Sequence, residues 1–166
     1  MSRQVYLDYA ATTFTAPEVV SAMTPYFTES FGNPSSIYSF SERNRKAIDA
    51  ARQKVADVLG ATKEEIYFTS GGTEADNWAL KGAAWRNRSK GNHVITTKIE
   101  HHAVLHTAQF LQENGFDVTF LDVDAEGRIS LDDLKKAVTG KTVLVSVMFA
   151  NNEIGTLQPV AEIGAF

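Results

Sequence analysis

Short runs rich in β-branched and aromatic residues recur along this chain, each separated from the next by a stretch of helical period. That alternation constrains the fold more than any other feature. Strand-like runs are Ile66-Tyr67-Phe68-Thr69, Val94-Ile95-Thr96-Thr97, residues 118–121 and the most apolar of all, residues 142–149. The intervening segments predict helices from Pro17 to about Glu29, and over residues 41–59, 73–86 and 102–112. Ser130 is placed to cap a further helix ending at Ala137. Ile48, Ala51, Val55, Val58 and Leu59 fall on one face of the longest helix, and Gly60 stands where a left-handed cap would end it. Val5-Tyr6-Leu7 reads as a short strand or an extended arm, and 31–36 as a loop. The reading is α/β: a three-layer α/β/α arrangement around a mostly parallel sheet. Trp78, Trp85 and the pair Tyr67-Phe68 read as core.

Composition removes several classes of function. A formal net charge of −4 does not suit a protein that holds a nucleic-acid backbone. With no cysteine, neither a disulfide framework nor a thiolate zinc site is available. The first residues lack the apolar core of a secretory signal, and residues 143–150 are too few to cross a bilayer, so no membrane role and a cytoplasmic location are expected. His101, His102 and His106 cluster, and the last two are one helical turn apart, a spacing that can chelate zinc. No third ligand stands at a suitable spacing, so no metal site is expected.

The most informative stretch is Ile66-Tyr67-Phe68-Thr69-Ser70-Gly71-Gly72-Thr73-Glu74-Ala75, in which a strand enters a turn of small residues and a helix begins at once. A helix N-terminus offers unpaired N–H groups and the positive end of the dipole to an anion. The glycines allow close approach, and the Ser70 and Thr73 hydroxyls are further donors. No lysine follows as in a P-loop, and the spaced glycines of a dinucleotide fold are absent. A tight turn that binds nothing has the same composition, so the stretch alone leaves both readings open.

Five segments taken together resemble the cysteine desulfurases of the NifS/IscS type, within the class-V aminotransferase superfamily of fold-type I pyridoxal 5'-phosphate (PLP) enzymes. They are Tyr6-Leu7-Asp8-Tyr9-Ala10-Ala11-Thr12-Thr13, Phe31-Gly32-Asn33-Pro34-Ser35-Ser36, the turn just described, Glu100-His101-His102-Ala103-Val104 and Asn151-Asn152-Glu153-Ile154-Gly155. The resemblance implies PLP as cofactor, with Gly72 and Thr73 holding its phosphate. It implies that His101 stacks on the ring and moves protons, and that Asn152 reaches the ring's phenolic oxygen. It implies L-cysteine as substrate, sulfur leaving as a persulfide, a homodimer, and an iron–sulfur scaffold or other sulfur acceptor as partner. Residues 1–14 would form an arm associated with the small domain, and residues 15–166 the first portion of the large PLP-binding domain. One loop departs from the family pattern: Tyr38, Ser39 and Ser41 stand where a histidine and glycines are usual.

The resemblance also implies groups that these residues lack. The Schiff-base lysine follows a histidine in the family, a context that Lys81, Lys98 and Lys141 do not have, and the sulfur-carrying cysteine is absent. The strands that would flank residues 66–69 are implied to lie outside this sequence, and the helix opening at Pro159 runs only to Phe166. The expectation is an incomplete domain, inactive alone and complemented by a downstream segment of the same protein. Two alternatives remain at this point: a selenocysteine lyase or class-V aminotransferase on the same fold, and a fragment without catalytic function.

Overall fold

The computed structural model describes residues 3–166, which fall into two compact units, one running to Phe68 and the other Thr69–Phe166. Within the first, the expected helix from Pro17 is two helices, α1 Pro17–Met23 and α2 Pro25–Thr28. Proline at 25 has no N–H to donate, so the ladder of α1 cannot run through it. The segment from Val5 to Leu7 lies in no sheet. Helix α3, Ser39–Leu59, is stopped by Gly60 in the left-handed region (φ 67°), whose N–H caps the Ala56 carbonyl.

The apolar face expected on α3 is largely not a core face in this chain: Ala56 is sealed, but Val58 and Leu59 are exposed and Ile48 and Val55 only partly covered. Buried polar groups organise its first turns instead. Asn44 donates through Nδ2 to the Gly32 carbonyl at 2.5 Å and so fastens the 31–36 loop to the helix.

Residues 66–69 belong to no sheet, which corrects the strand predicted there. Ile66 is extended (φ −97°, ψ 123°), as β-branched residues prefer, and its carbonyl accepts from Arg52 Nε at 3.0 Å rather than from a ladder. A strand needs a neighbouring backbone, and the resemblance places the neighbours of this one outside the sequence.

The second unit is built on three parallel strands: β1 His93–Thr97, β2 Asp117–Leu121 and β3 Thr142–Val145, in the order β2-β1-β3. Every residue of β1 is buried, as a central parallel strand requires. Its two faces feed two cores. Val94 packs with Ala84, Leu111 and Phe116, which brings helices α4 (Gly72–Arg86) and α5 (His102–Glu113) onto one face. Ile95 packs with Leu121, Ile129 and Leu134, and with Ile163 at the edge, which brings α6 (Leu131–Ala137) and α7 (Val160–Ala165) onto the other. Helix, sheet and helix therefore form three layers, and the fold class is α/β as read. Ser130 caps α6 as expected, its hydroxyl accepting from Asp133 N–H at 3.2 Å.

β3 covers half of the apolar run predicted for it. Ser146 N–H still bonds Ile95 O at 2.9 Å, but Met148 N–H turns to a side chain, the carboxylate of Glu100. The backbone leaves the ladder there. At the opposite end of the sheet the buried His93 ring bridges both neighbours, with Nδ1 2.8 Å from Thr142 Oγ1 and Nε2 2.9 Å from Thr119 Oγ1.

The aromatic side chains expected in the core are another correction. Trp78, Trp85, Tyr67 and Phe68 are exposed, Trp78 by 55%. Trp85 packs edge-on against Phe116 and tilted against Phe110, so its ring is supported on one side and open on the other. Aromatic composition marks a surface that favours cover; it does not say that the same segment provides it.

Gly91 is needed for close approach. A β-carbon built there would collide with the Lys141 carbonyl, the group that accepts from His93 N–H where β1 meets β3. The neighbour is backbone and cannot rotate away. Gly91→Ala is expected to lower the unfolding free energy by about 1–3 kcal/mol, read as a lower urea midpoint at unchanged slope; a wild-type midpoint would show that the strands can separate freely.

Candidate functional site

The carboxyl ends of β1 and β3 and the amino end of α4 carry the residues of interest. Helix α4 begins directly after Gly71, whose extended backbone makes no side-chain cap. The first N–H groups of an α-helix have no partner within it. Ahead of them Glu74 reaches back, its Oε2 accepting from Ser70 N–H at 2.6 Å and Ser70 Oγ at 2.7 Å. These bonds hold the Glu74 carboxyl below its ordinary value, the backbone N–H contributing most. The Ser70 hydroxyl is thereby engaged and is not the spare donor expected from the sequence. Among the described residues none is hydrogen-bonded to the Thr73 hydroxyl, and the Thr73 carbonyl accepts from Asn77 Nδ2 at 2.9 Å.

His101 ends the segment that leaves β1 and is the N-cap of α5. Its Nδ1 accepts the Ala103 N–H at 3.1 Å. That lone pair is occupied, so the proton of a neutral ring sits on Nε2, the other nitrogen. The imidazole therefore does two things: it closes a helix end, and it presents Nε2–H as a donor.

Thr73 and His101 line one cleft of about 370 Å³, together with Asn77, Lys81, His102 and His106 among others. This volume suits a small cofactor. Gly72 is the first residue of α4, immediately before Thr73, and a β-carbon there would meet nothing within 4 Å. Asn152 does not line this cleft. It is exposed, and its amide donates to Glu153 Oε1 at 2.9 Å. The structure thus joins Thr73 and His101, sets Gly72 beside them, and leaves Asn152 outside.

Asn77 and Lys81 join the cleft although no motif marks them; the spacing of Thr73, Asn77 and Lys81 sets all three on one helix face. Lys81 lies over the Phe110 ring at 4.2 Å. The His102 and His106 rings are 5.1 Å apart, and among the described residues no group of three His, Cys, Asp or Glu side chains is arranged to hold a metal. No helix among them is long and apolar enough to cross a membrane.

The donor set fits PLP. Helix-end N–H groups and a threonine hydroxyl suit a phosphate, a flat imidazole in the same cleft suits an aromatic ring, and Lys81 adds positive charge.

An enzyme domain with a parallel sheet, a small-residue turn into a helix and a histidine at the strand end has many counterparts. The chain belongs to the class-V aminotransferase family, whose profile matches residues 5–166. Within it, the chain is similar to cysteine desulfurase IscS of Clostridium botulinum (strain Kyoto / Type A2), at 65% identity over 164 residues, 99% of this chain and 41% of that protein. It is 59% identical to cysteine desulfurase IscS of Methanosarcina thermophila over 163 residues, covering 98% and 40% of the two. Among solved structures, a NifS-like protein superposes with a TM-score of 0.95 at 42% identity, covering 98% of this chain and 45% of its own. SspA in complex with cysteine gives 0.91 at 43%, covering 96% and 46%. The chain spans about two-fifths of the length of these curated relatives. The resemblance read from the five motifs and the α/β fold of the PLP-dependent transferases both stand.

Proposed function

We propose that this chain carries the phosphate and ring contacts of a PLP-dependent cysteine desulfurase, which converts L-cysteine to L-alanine and passes the sulfur on as a persulfide. The observation that carries the reading is the shared cleft of Thr73, at the amino end of α4, and His101, at the end of β1. Gly72 N–H and the Thr73 hydroxyl hold the phosphate, and the His101 ring lies against the cofactor ring and moves a proton through Nε2. Asn152 turns from Glu153 toward the ring oxygen when the cofactor is present. Bound PLP supplies an electron sink that weakens the bonds at the substrate α-carbon.

With no cysteine, these 166 residues cannot carry sulfur, so alone they are inactive. A downstream segment supplies the Schiff-base lysine and the persulfide cysteine and covers the exposed aromatic surface. Residues 1–14 act as an arm against the small domain, and 15–166 belong to the large one. The assembled protein works as a cytoplasmic homodimer that hands sulfur to an iron–sulfur scaffold or another acceptor.

The full chain, meaning these 166 residues joined to that downstream segment, is expected to purify yellow and to form alanine from L-cysteine, with sulfide released by an added thiol. Thr73→Val, which removes one phosphate donor at constant shape, is expected to weaken PLP binding by about tenfold. A colourless full chain that takes up no added PLP would refute the reading.

A further inference from the structure

Glu100 is 7% exposed and lies in the short link between β1 and α5, immediately before His101. One oxygen, Oε1, accepts two hydrogen bonds: from Thr97 Oγ1 at 3.1 Å and from Met148 N–H at 2.8 Å. The first bond is local and closes the link on itself. The second crosses to the segment that follows β3, 48 residues away in sequence.

A second tie joins the same two segments. Asn151, also buried, donates through Nδ2 to the Ile99 carbonyl at 3.0 Å. Its Oδ1 accepts from Glu153 N–H at 2.9 Å and Ile154 N–H at 3.0 Å, so the same side chain shapes the turn that contains Asn152. Loops at the ends of neighbouring parallel strands have no ladder to hold them in register. Here a carboxyl and an amide do so, one on each side of the link.

Burial pushes the Glu100 carboxyl up from its ordinary value; the bonds from Met148 and Thr97 oppose this, and Asp76 on α4 adds a little to the rise. A group in that position is useful for its hydrogen-bonding oxygen more than for its charge.

We infer that Glu100 is a positioning residue whose carboxyl oxygen clamps the Asn152 loop against the His101 link, fixing the spacing of imidazole and amide at the cofactor ring. The inference rests on the functional reading above. It assigns Glu100 no contact with substrate or cofactor.

The test uses the full chain with Glu100→Gln, Glu100→Asp and Glu100→Ala, and reads PLP retention, the position of the visible absorbance band and thermal stability. The glutamine carbonyl keeps both bonds, so E100Q is expected to match the wild type in band and retention. Alanine removes the acceptor and aspartate is one methylene short, so both are expected to shift the band and to weaken PLP retention by about tenfold. If E100A does not fold, the contrast of E100D with E100Q decides. Variants that melt lower yet keep the wild-type band and retention would make Glu100 merely structural and overturn the inference. So would E100Q behaving like E100A, since charge and not the acceptor would then matter. A colourless wild type sinks the functional reading and this inference with it; a yellow wild type with unaffected variants sinks this inference alone.

Discussion

Ile95→Ala is expected to lower the unfolding free energy of the protein by about 4 kcal/mol. Ile95 is fully buried in the middle of β1, hydrogen-bonded into neighbours on both sides, and its side chain is the contribution of β1 to the core with Leu121, Ile129 and Leu134. Truncation removes three carbons at a place where the backbone is held by two parallel ladders and cannot collapse inward. The loss therefore combines transfer from water with a retained cavity. Ile95→Val, which removes a single methylene, should cost about 1 kcal/mol. Urea titration followed by far-ultraviolet circular dichroism measures both. Near-equal midpoints for the alanine and valine variants would mean that the site refills, and that β1 is not the sealed centre described.

The largest effect on activity is expected at His101, where two roles must be separated. His101→Asn keeps an acceptor for the Ala103 N–H and so retains the α5 cap, while removing the ring and its Nε2 proton. In the full chain this variant should lose desulfurase turnover by about 100-fold, the low end of what a positioned proton donor contributes, with thermal stability unchanged. His101→Ala should lose the same activity and in addition about 1 kcal/mol of stability, the usual cost of a missing cap. Turnover of H101N close to the wild type would remove His101 from the chemistry and leave it as a cap only.

Much of the architecture is legible in the residues because it depends on neighbours in sequence. Val94-Ile95-Thr96-Thr97 is apolar or β-branched throughout and becomes a strand buried at every position, β1. Ser130 caps α6, and Gly60 ends α3 in the left-handed region, each acting within a few residues of itself. The small-residue turn before α4 likewise declares a helix amino end from its own composition. Pro25 acts equally locally: a residue without an N–H splits a segment that otherwise has helical period.

The departures share a different cause. Residues 66–69 have the composition of a strand, yet a strand exists only where another backbone completes it. Residues 146–149 are as apolar as those before them, but Met148 N–H is claimed by Glu100, and the ladder stops. Trp78 is aromatic and open because burial is decided by what covers a face and not by the face itself.

The sequence by itself determined the alternation of helices and strands from β1 onward, the helix caps at Gly60 and Ser130, the phosphate-type turn at Gly71-Gly72 and, through its motifs, the family. These follow from backbone sterics, hydrophobic period and capping, which act over a few residues. Tertiary structure decided that Thr73 and His101 face one cleft, and that Glu100 and Asn151 tie together loops some fifty residues apart. Such contacts depend on which strands become neighbours in the sheet, and no local pattern encodes the distance between two loops at its edge.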